Sequence, residues 1–297
     1  MKILVIGGTN IDIYGRVTNK LINKDSNNGT IDFSIGGVGK NISENLVRLG
    51  LDVSFATVLG NDDFNLKVKK HLSSLNLTTI IKESNLPTPK YLAIFDEEND
   101  FRVGVNEMDA LNDLDINFIK ELEFDKYDLL VIDANLSEQL IEYIVNNANI
   151  PIYAEAISTK KVLKFKPYLN KLTALKCNML EANALLNSNE LPALNLAEKL
   201  ANQGLKEVYL TDSSNGSYLF IDNLLRYFPS ISEEIVNTSG AGDAFLAGVI
   251  YAKVYKKPEL LYGNSLASIT LKVKEANNQE LTKELLESVV NKYGNRA

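Results

Sequence analysis

The sequence predicts an α/β protein, a mostly parallel sheet covered by helices on both faces, with a small β-sheet lid. Three observations carry that prediction. Short apolar, strand-like runs alternate with amphipathic helical stretches along most of the chain, the order that builds a parallel sheet buried on both sides. Two hairpin-like segments near 11–35 and 89–105 interrupt the alternation, and the economical arrangement pairs them into a separate sheet. No repeat or low-complexity tract divides the 297 residues, so one domain over 1–297, with the lid inserted in it, is expected.

The elements follow in order. "KILVIGG" (2–8) is a short β-rich apolar run ending in glycines, as a buried strand would. "IDIYGRV" and "TIDFSIGG" alternate apolar and polar residues around the turn-rich "NKDSNNG", which makes a hairpin with one open face. "VGKNISENLVRLG" places Val38, Ile42, Leu46 and Leu49 near helical spacing and ends in Gly50, a favourable C-terminal cap. Strand and helix then interleave: "VSFATVLG", the helical "DDFNLKVKKHLSSL", "TTII", and the second hairpin with "DEEND" at its tip. "DLLVID", the helix "SEQLIEYIVNN", "IPIYAE" and "LTALKCN" continue the pattern, with helices near 179–187 and 194–203 after them. "KEVYLT" and the paired runs "GSYLFI" and "LLRYF" complete the sheet, and the end is helical, after Asp243 and near 259–275 and 280–292.

Composition narrows the function. A formal charge of −7 argues against a general nucleic-acid or anionic-membrane surface. The apolar run of "MKILVIGGTN" is short for a signal segment, and no stretch approaches the ~18 apolar residues of a membrane span, so the chain reads as cytoplasmic. Cys177 is the one cysteine and His71 the one histidine. An internal disulfide and a site of several histidines are therefore excluded, and Cys177 reads as core filling, His71 as surface. Carboxylates, amides, lysines and backbone remain for chemistry.

"NTSGAGDAFLAGV" (237–249) sets small residues around Gly240 and Gly242, follows with Asp243, and runs into apolar helical sequence. A tight turn opening a helix aims unpartnered NH groups outward, a cradle for an anion. The positive helix end should favour the ionised form of Asp243. A carboxylate beside an anion site suits phosphoryl transfer, which needs an oriented, deprotonated hydroxyl. A merely capped helix with an acidic first turn has the same pattern. "GGVGKN" (36–41) is not a P-loop, because Ser34 stands where its first glycine belongs and Asn41 where Ser or Thr would bind magnesium. It also fails the dinucleotide fingerprint, since Ile42 takes the third glycine position. It offers a close-approach backbone and an amide, Asn41, that both donates and accepts.

Read together, "GGVGKN" after an early strand and "TSGAGDAF" near the end resemble the two signatures of the PfkB (ribokinase-like) carbohydrate kinases. The resemblance spans essentially the whole chain and implies a ribokinase-like three-layer sandwich and an ATP-dependent kinase of a sugar or nucleoside hydroxyl. By similarity, Asp243 is the catalytic base, and the backbone of Gly240, Ala241 and Gly242 is the anion hole. Asn10, Asp12, Gly36, Gly37 and Asn41 match positions that bind the acceptor's hydroxyls. "NMLE" matches the family's Asn-x-x-Glu pattern, so Asn178 and Glu181 would organise Mg²⁺ and phosphate through water; a helix N-cap with a reciprocal Glu has the same sequence.

On the nucleotide side, "LTDSSNG" resembles the family's Thr-x-Gly-x-x-Gly turn, keeping Thr211 and Gly216 but placing Ser213 at the first glycine. Asn264 is a candidate adenine neighbour. Asn237 stands where many members carry Asp; with "VNEMDAL" and "DANL" it is similar to the pseudouridine kinase branch. Asn106 and Asn135 then become candidate ligand contacts. The implied partners are a nucleoside or sugar and ATP, with neither nucleic acid nor membrane, and a homodimer through the lid sheet. The pattern leaves open whether a monovalent cation assists. The rival readings are a kinase of another pentose or nucleoside (ribose, uridine, adenosine) and a non-catalytic sugar or nucleoside sensor.

Overall fold

A computed structural model describes residues 1–231 and 235–294. The first third contains β1 (Lys2–Ile6), β2 (Asn10–Val17), β3 (Gly29–Gly36), α1 (Val38–Arg48), β4 (Asp52–Leu59), α2 (Asp63–Ser74), β5 (Thr78–Glu83) and β6 (Lys90–Phe95). The middle contains β7 (Phe101–Glu107), α3 (Ile116–Lys120), β8 (Leu129–Asp133), α4 (Glu138–Asn147), β9 (Ile152–Glu155), β10 (Ala174–Asn178), α5 (Met179–Leu186) and α6 (Ala193–Ala201). The last third contains β11 (Glu207–Thr211), β12 (Ser217–Ile221), β13 (Leu224–Phe228), α7 (Ala241–Tyr255), α8 (Glu259–Thr270) and α9 (Lys283–Tyr293).

The large sheet has nine strands in the order β13-β12-β11-β10-β9-β8-β1-β4-β5. Strands β5 through β11 in that order run parallel, and β12 and β13 add an antiparallel edge. Alternation along β1 shows why helices cover both faces. Ile3 and Val5 pack into one core with residues of α1, α7 and α8, while Leu4 and Ile6 enter a second core with residues of α4, α5 and α6. All four side chains are at most 1% exposed, as a strand in the middle of a three-layer sandwich requires. The architecture is the three-layer α/β sandwich that the resemblance implies.

The two hairpins pair as expected into a separate four-stranded sheet, β3-β2-β6-β7. Its centre is a parallel β2–β6 contact, and each hairpin supplies an outer strand. Cross-strand rows Ile31–Gly15–Ile94–Val103 and Phe33–Ile13–Leu92–Val105 put apolar side chains on one face. Asp12, Tyr14 and Tyr91 occupy the other.

Helix ends differ modestly from the sequence pattern. The helix expected to reach residue 275 stops at Thr270, because the carbonyl of Leu271 is taken by the amides of Val236 (2.8 Å) and Asn237 (3.3 Å). A 3-10 segment over Lys161–Lys171, with Pro167 inside it, was not legible as a helix. No helix among the described residues is long and apolar enough to cross a membrane.

Candidate active site

The carboxyl ends of the parallel strands open into a cavity of about 770 Å³, where open α/β sheets place their ligands. β1 delivers Gly8 to it, β8 delivers Asn135, β9 ends in Glu155, β10 in Asn178 and β11 in Thr211. The start of α7 closes one wall and the four-stranded sheet another.

Asp243 lies in the first turn of α7 and is 8% exposed. Gly240, its N-cap, has φ 78, and a Cβ there would lie 2.0 Å from the carbonyl oxygen of Ala276, so only glycine fits. A Cβ on Gly242 would meet Lys176 Nζ at 2.5 Å. Ser239 N donates to Asn237 Oδ1 (3.0 Å) and Asn237 Nδ2 to Lys274 O (2.6 Å), which fastens this turn to the loop after α8. The amides of Gly242 and Asp243 open the helix next to the cavity, the arrangement of an anion cradle.

Asn41 Nδ2 donates to Asp243 Oδ2 at 2.7 Å across 202 positions of sequence. Burial pushes the Asp243 carboxyl up to about 6, against the Asn41 bond and the charges of Lys176 and Lys40. Burial thus outweighs the helix end that was expected to keep this group strongly acidic. At neutral pH it is still mainly a carboxylate. Asn41 is fixed from behind, because Asn277 Nδ2 donates to its carbonyl (2.9 Å) while Asn277 Oδ1 accepts from Lys40 Nζ (2.6 Å). Lys40 in turn pairs with Glu44 (3.1 Å), which also receives Arg48 (2.8 Å), His71 (2.9 Å) and Gln279 (3.1 Å). Burial pushes the Glu44 carboxyl upward, but His71, Lys40 and Arg48 pull it well below the usual carboxylate range. His71 is accordingly half-buried and bonded, whereas Cys177 is core filling as expected.

At the end beside the four-stranded sheet, Asn10, Asp12, Gly37, Asn41 and Asn135 line the cavity. Asn10 Nδ2 donates to Asp12 Oδ1 (2.6 Å), and burial pushes the Asp12 carboxyl up to about 6. Gly36 is not in the lining; it serves the site by leaving room, since a Cβ there would sit 2.0 Å from Asp12 Oδ2. Asn106 pairs in register with Tyr91 but lies on exposed β7, outside the lining.

At the other end lie Asn178, Glu181, Thr211, Gly216 and Asn264. Asn178 and Glu181 form a capping box, with Glu181 N to Asn178 Oδ1 at 2.9 Å and Asn178 N to Glu181 Oε2 at 2.8 Å, so the structural reading of "NMLE" holds while both residues face the cavity. Asn264 Nδ2 is engaged by Ser217 Oγ (2.5 Å) and Leu260 O (2.7 Å).

Sequence reasoning missed Lys176 and Glu155. Their ion pair (2.9 Å) is buried beside Gly242. Burial pushes Glu155 up to about 8 even with Lys176 beside it, and its Oε2 is buried with no partner. Burial lowers Lys176, but Glu155, Glu181 and Asp243 outweigh that and hold its ammonium above the ordinary range. With Glu155 largely protonated at neutral pH, Glu181 and Asp243 still outnumber the one ammonium, which leaves the region short of positive charge. Among the described residues no three His, Cys, Asp or Glu side chains stand close enough to cage a metal by themselves. The available signal was a lysine inside an otherwise apolar strand, "LTALKCN".

A helix start with open amides, a buried aspartate and a polar cleft along the strand ends suit a ribokinase-like α/β kinase. The comparisons agree and go one step further. The model of the pfkB family carbohydrate kinases matches residues 1–283, and the chain belongs to that family, whose members are phosphotransferases with an alcohol acceptor. A pseudouridine kinase of Escherichia coli (strain K12) is 28% identical over 292 residues, covering 94% of this chain and 93% of that protein. A ribokinase from Thermotoga maritima superposes with a TM-score of 0.88 at 21% identity, over 97% of this chain and 99% of the other. A ribokinase from Arabidopsis thaliana, solved with ribose and ATP, does so with a TM-score of 0.80 at 18% identity, over 97% and 98%.

Proposed function

We propose that the protein transfers the γ-phosphoryl group of ATP to the 5′-hydroxyl of pseudouridine, giving pseudouridine 5′-phosphate and ADP. The observation that carries this reading is Asp243, buried at an anion-binding helix start and aimed by Asn41 (2.7 Å). A carboxyl poised near 6 suits a general base at neutral pH. It takes the hydroxyl proton as the new O–P bond forms and the bond to the β-phosphate oxygen breaks. The Gly240–Gly242 backbone holds the charge of the moving group, and a loose transition state makes alignment and charge neutralisation the main contributions.

Asn10, Asp12, Gly36, Gly37 and Asn41 hold the acceptor's hydroxyls, and Asn135 holds its base; Asn106 reaches the ligand only if β7 moves inward. Asn178, Thr211, Gly216 and Asn264 take the nucleotide. The surplus of carboxylate around Lys176 fits Mg²⁺ held through water and phosphate oxygens by Asn178 and Glu181, where it would offset phosphate charge. The four-stranded sheet acts as a lid that excludes water as a competing acceptor, and its apolar outer face pairs with that of a second copy. The cytoplasm, which supplies ATP, is the fitting compartment. Similarity to the Escherichia coli pseudouridine kinase and the amide at Asn135 support the acceptor.

The test is steady-state phosphorylation of pseudouridine, uridine, adenosine and ribose with ATP and Mg²⁺, read by mass spectrometry. The highest kcat/KM is expected on pseudouridine. A higher value on another acceptor moves the assignment to it, and absence of any product with retained ligand binding makes the protein a sensor.

A further inference from the structure

The turn after β9 carries a conformation that needs explaining. Ile157 has φ 66, a left-handed backbone that a β-branched residue adopts only when its surroundings force it. The forcing is visible: Ala156 N donates to Lys176 O (3.1 Å), Ser158 N to Ala156 O (2.8 Å) and Val162 N to Ser158 O (2.9 Å). The turn thereby sends Glu155, Ile157 and Lys161 into one cavity. Strain of this kind gathers at ligand clamps.

Lys161 Nζ lies 2.6 Å from Asn135 Oδ1. An ammonium only donates, so the Asn135 oxygen is the acceptor and its Nδ2 is the free end, turned toward Gly8, where a Cβ would meet it at 3.1 Å. The loop bearing Asn135 is pinned by Lys164 Nζ on the carbonyls of Ala134 (3.1 Å) and Leu136 (2.9 Å). Beside these two donors the wall is apolar, made by Met108, Leu111 and Ile157. A flat body with acceptor atoms on its rim matches such a pocket.

We infer that the 156–161 turn reads the acceptor's base: Ile157 walls the ring, and Lys161 with the Asn135 amide donates to ring carbonyls, favouring uracil-type bases over bases that present an amino group. This rests on the nucleoside reading above. An amino group directed at two donors leaves all of them unpaired, which costs far more than a lost contact.

The experiment compares kcat and KM of the wild type, Lys161→Met, Lys161→Arg and Ile157→Gly on pseudouridine, cytidine and ribose. Lys161→Met is expected to lower kcat/KM on pseudouridine by roughly 10- to 100-fold, the range for a hydrogen bond to a charged group, mainly through KM. The pseudouridine-to-ribose preference should fall by a similar factor, with partial return in Lys161→Arg. Ile157→Gly, which accepts the left-handed backbone without strain and so keeps the fold, should also lower that preference. Equal losses on pseudouridine and ribose in Lys161→Met would mean a structural prop and overturn the proposal. A wild type that phosphorylates ribose and no nucleoside overturns the nucleoside reading and this inference with it. A wild type that prefers pseudouridine while both variants keep the preference overturns the base-reading turn alone.

Discussion

Replacing Asp243 with asparagine should abolish turnover and yet stabilise the empty protein. The carboxyl is raised from 3.8 to about 6 by burial, so the folded state resists its charge. At ~1.36 kcal/mol per unit, holding the anion at neutral pH costs about 3 kcal/mol. Asparagine keeps an oxygen for Asn41 Nδ2 and removes the charge. For a chain of this size ~2 °C accompanies each kcal/mol, so the variant should melt roughly 4–6 °C higher at pH 7.5. The sign fixes the pH dependence. A raised folded-state pKa means the native protein binds the proton more tightly, so wild-type stability from this group is full below the unfolded value near 3.8 and is lost as pH rises through about 6. The difference between variant and wild type should therefore shrink to about half at pH 5, on its way to zero below the unfolded value. Differential scanning fluorimetry across pH 5–8, alongside kcat on the best acceptor, reads both effects, with kcat expected to fall by roughly 10²–10⁴-fold. A variant that melts lower than wild type at pH 7.5, or a gain that is the same at pH 5, would refute the reasoning.

Other expectations follow from single contacts. Asn41→Ala removes the only side-chain donor on Asp243 among the described residues (2.7 Å); the acid limb of the kcat/KM profile should move above about pH 6, and a profile that stays put would separate Asn41 from the base. Gly240→Ala sets a Cβ 2.0 Å from Ala276 O at φ 78, so urea unfolding should show a loss larger than the ~1–3 kcal/mol that a left-handed non-glycine residue costs by itself. Above about pH 8, where Glu155 is ionised, Lys176→Met strands it in a buried site, and a loss of about 3–5 kcal/mol is expected for breaking such a pair; Lys176→Met with Glu155→Leu should recover most of it by the same assay. Phe33→Lys with Val105→Lys breaks the apolar face, where those residues are 58% and 57% exposed; on the proposed pairing of two lid sheets, sedimentation should show a dimeric wild type and a monomeric variant, and a monomeric wild type would refute the pairing.

The sequence made the fold and the candidate site legible wherever the information was local. Gly240, Gly242 and Asp243 lie within four positions of each other, and the cradle needs nothing more distant to be recognised. The "GGVGKN" turn was equally compact, although its main partner, Asp243, lies 202 positions away. The rest depended on tertiary burial. Glu155 and Lys176 read as strand residues because each stands alone in an apolar run, and only the register of β9 against β10 brings them together. Lys161 lay in a stretch without clear periodicity, and its role requires the strained turn at Ile157. Asn106 was singled out by motif context, yet strand pairing leaves it on an outer strand.

The brace behind Asn41 has a consequence for biosynthesis. Asn277 and Gln279, which hold Lys40 and Arg48 from the other side at 2.6 and 2.5 Å, are made 237 and 231 positions after them. Until they arrive, Asn41 lacks its backbone anchor and the aspartate has no fixed companion. A chain cut between Asp243 and Asn277 would carry every strand of the large sheet but lack the brace that fixes Asn41.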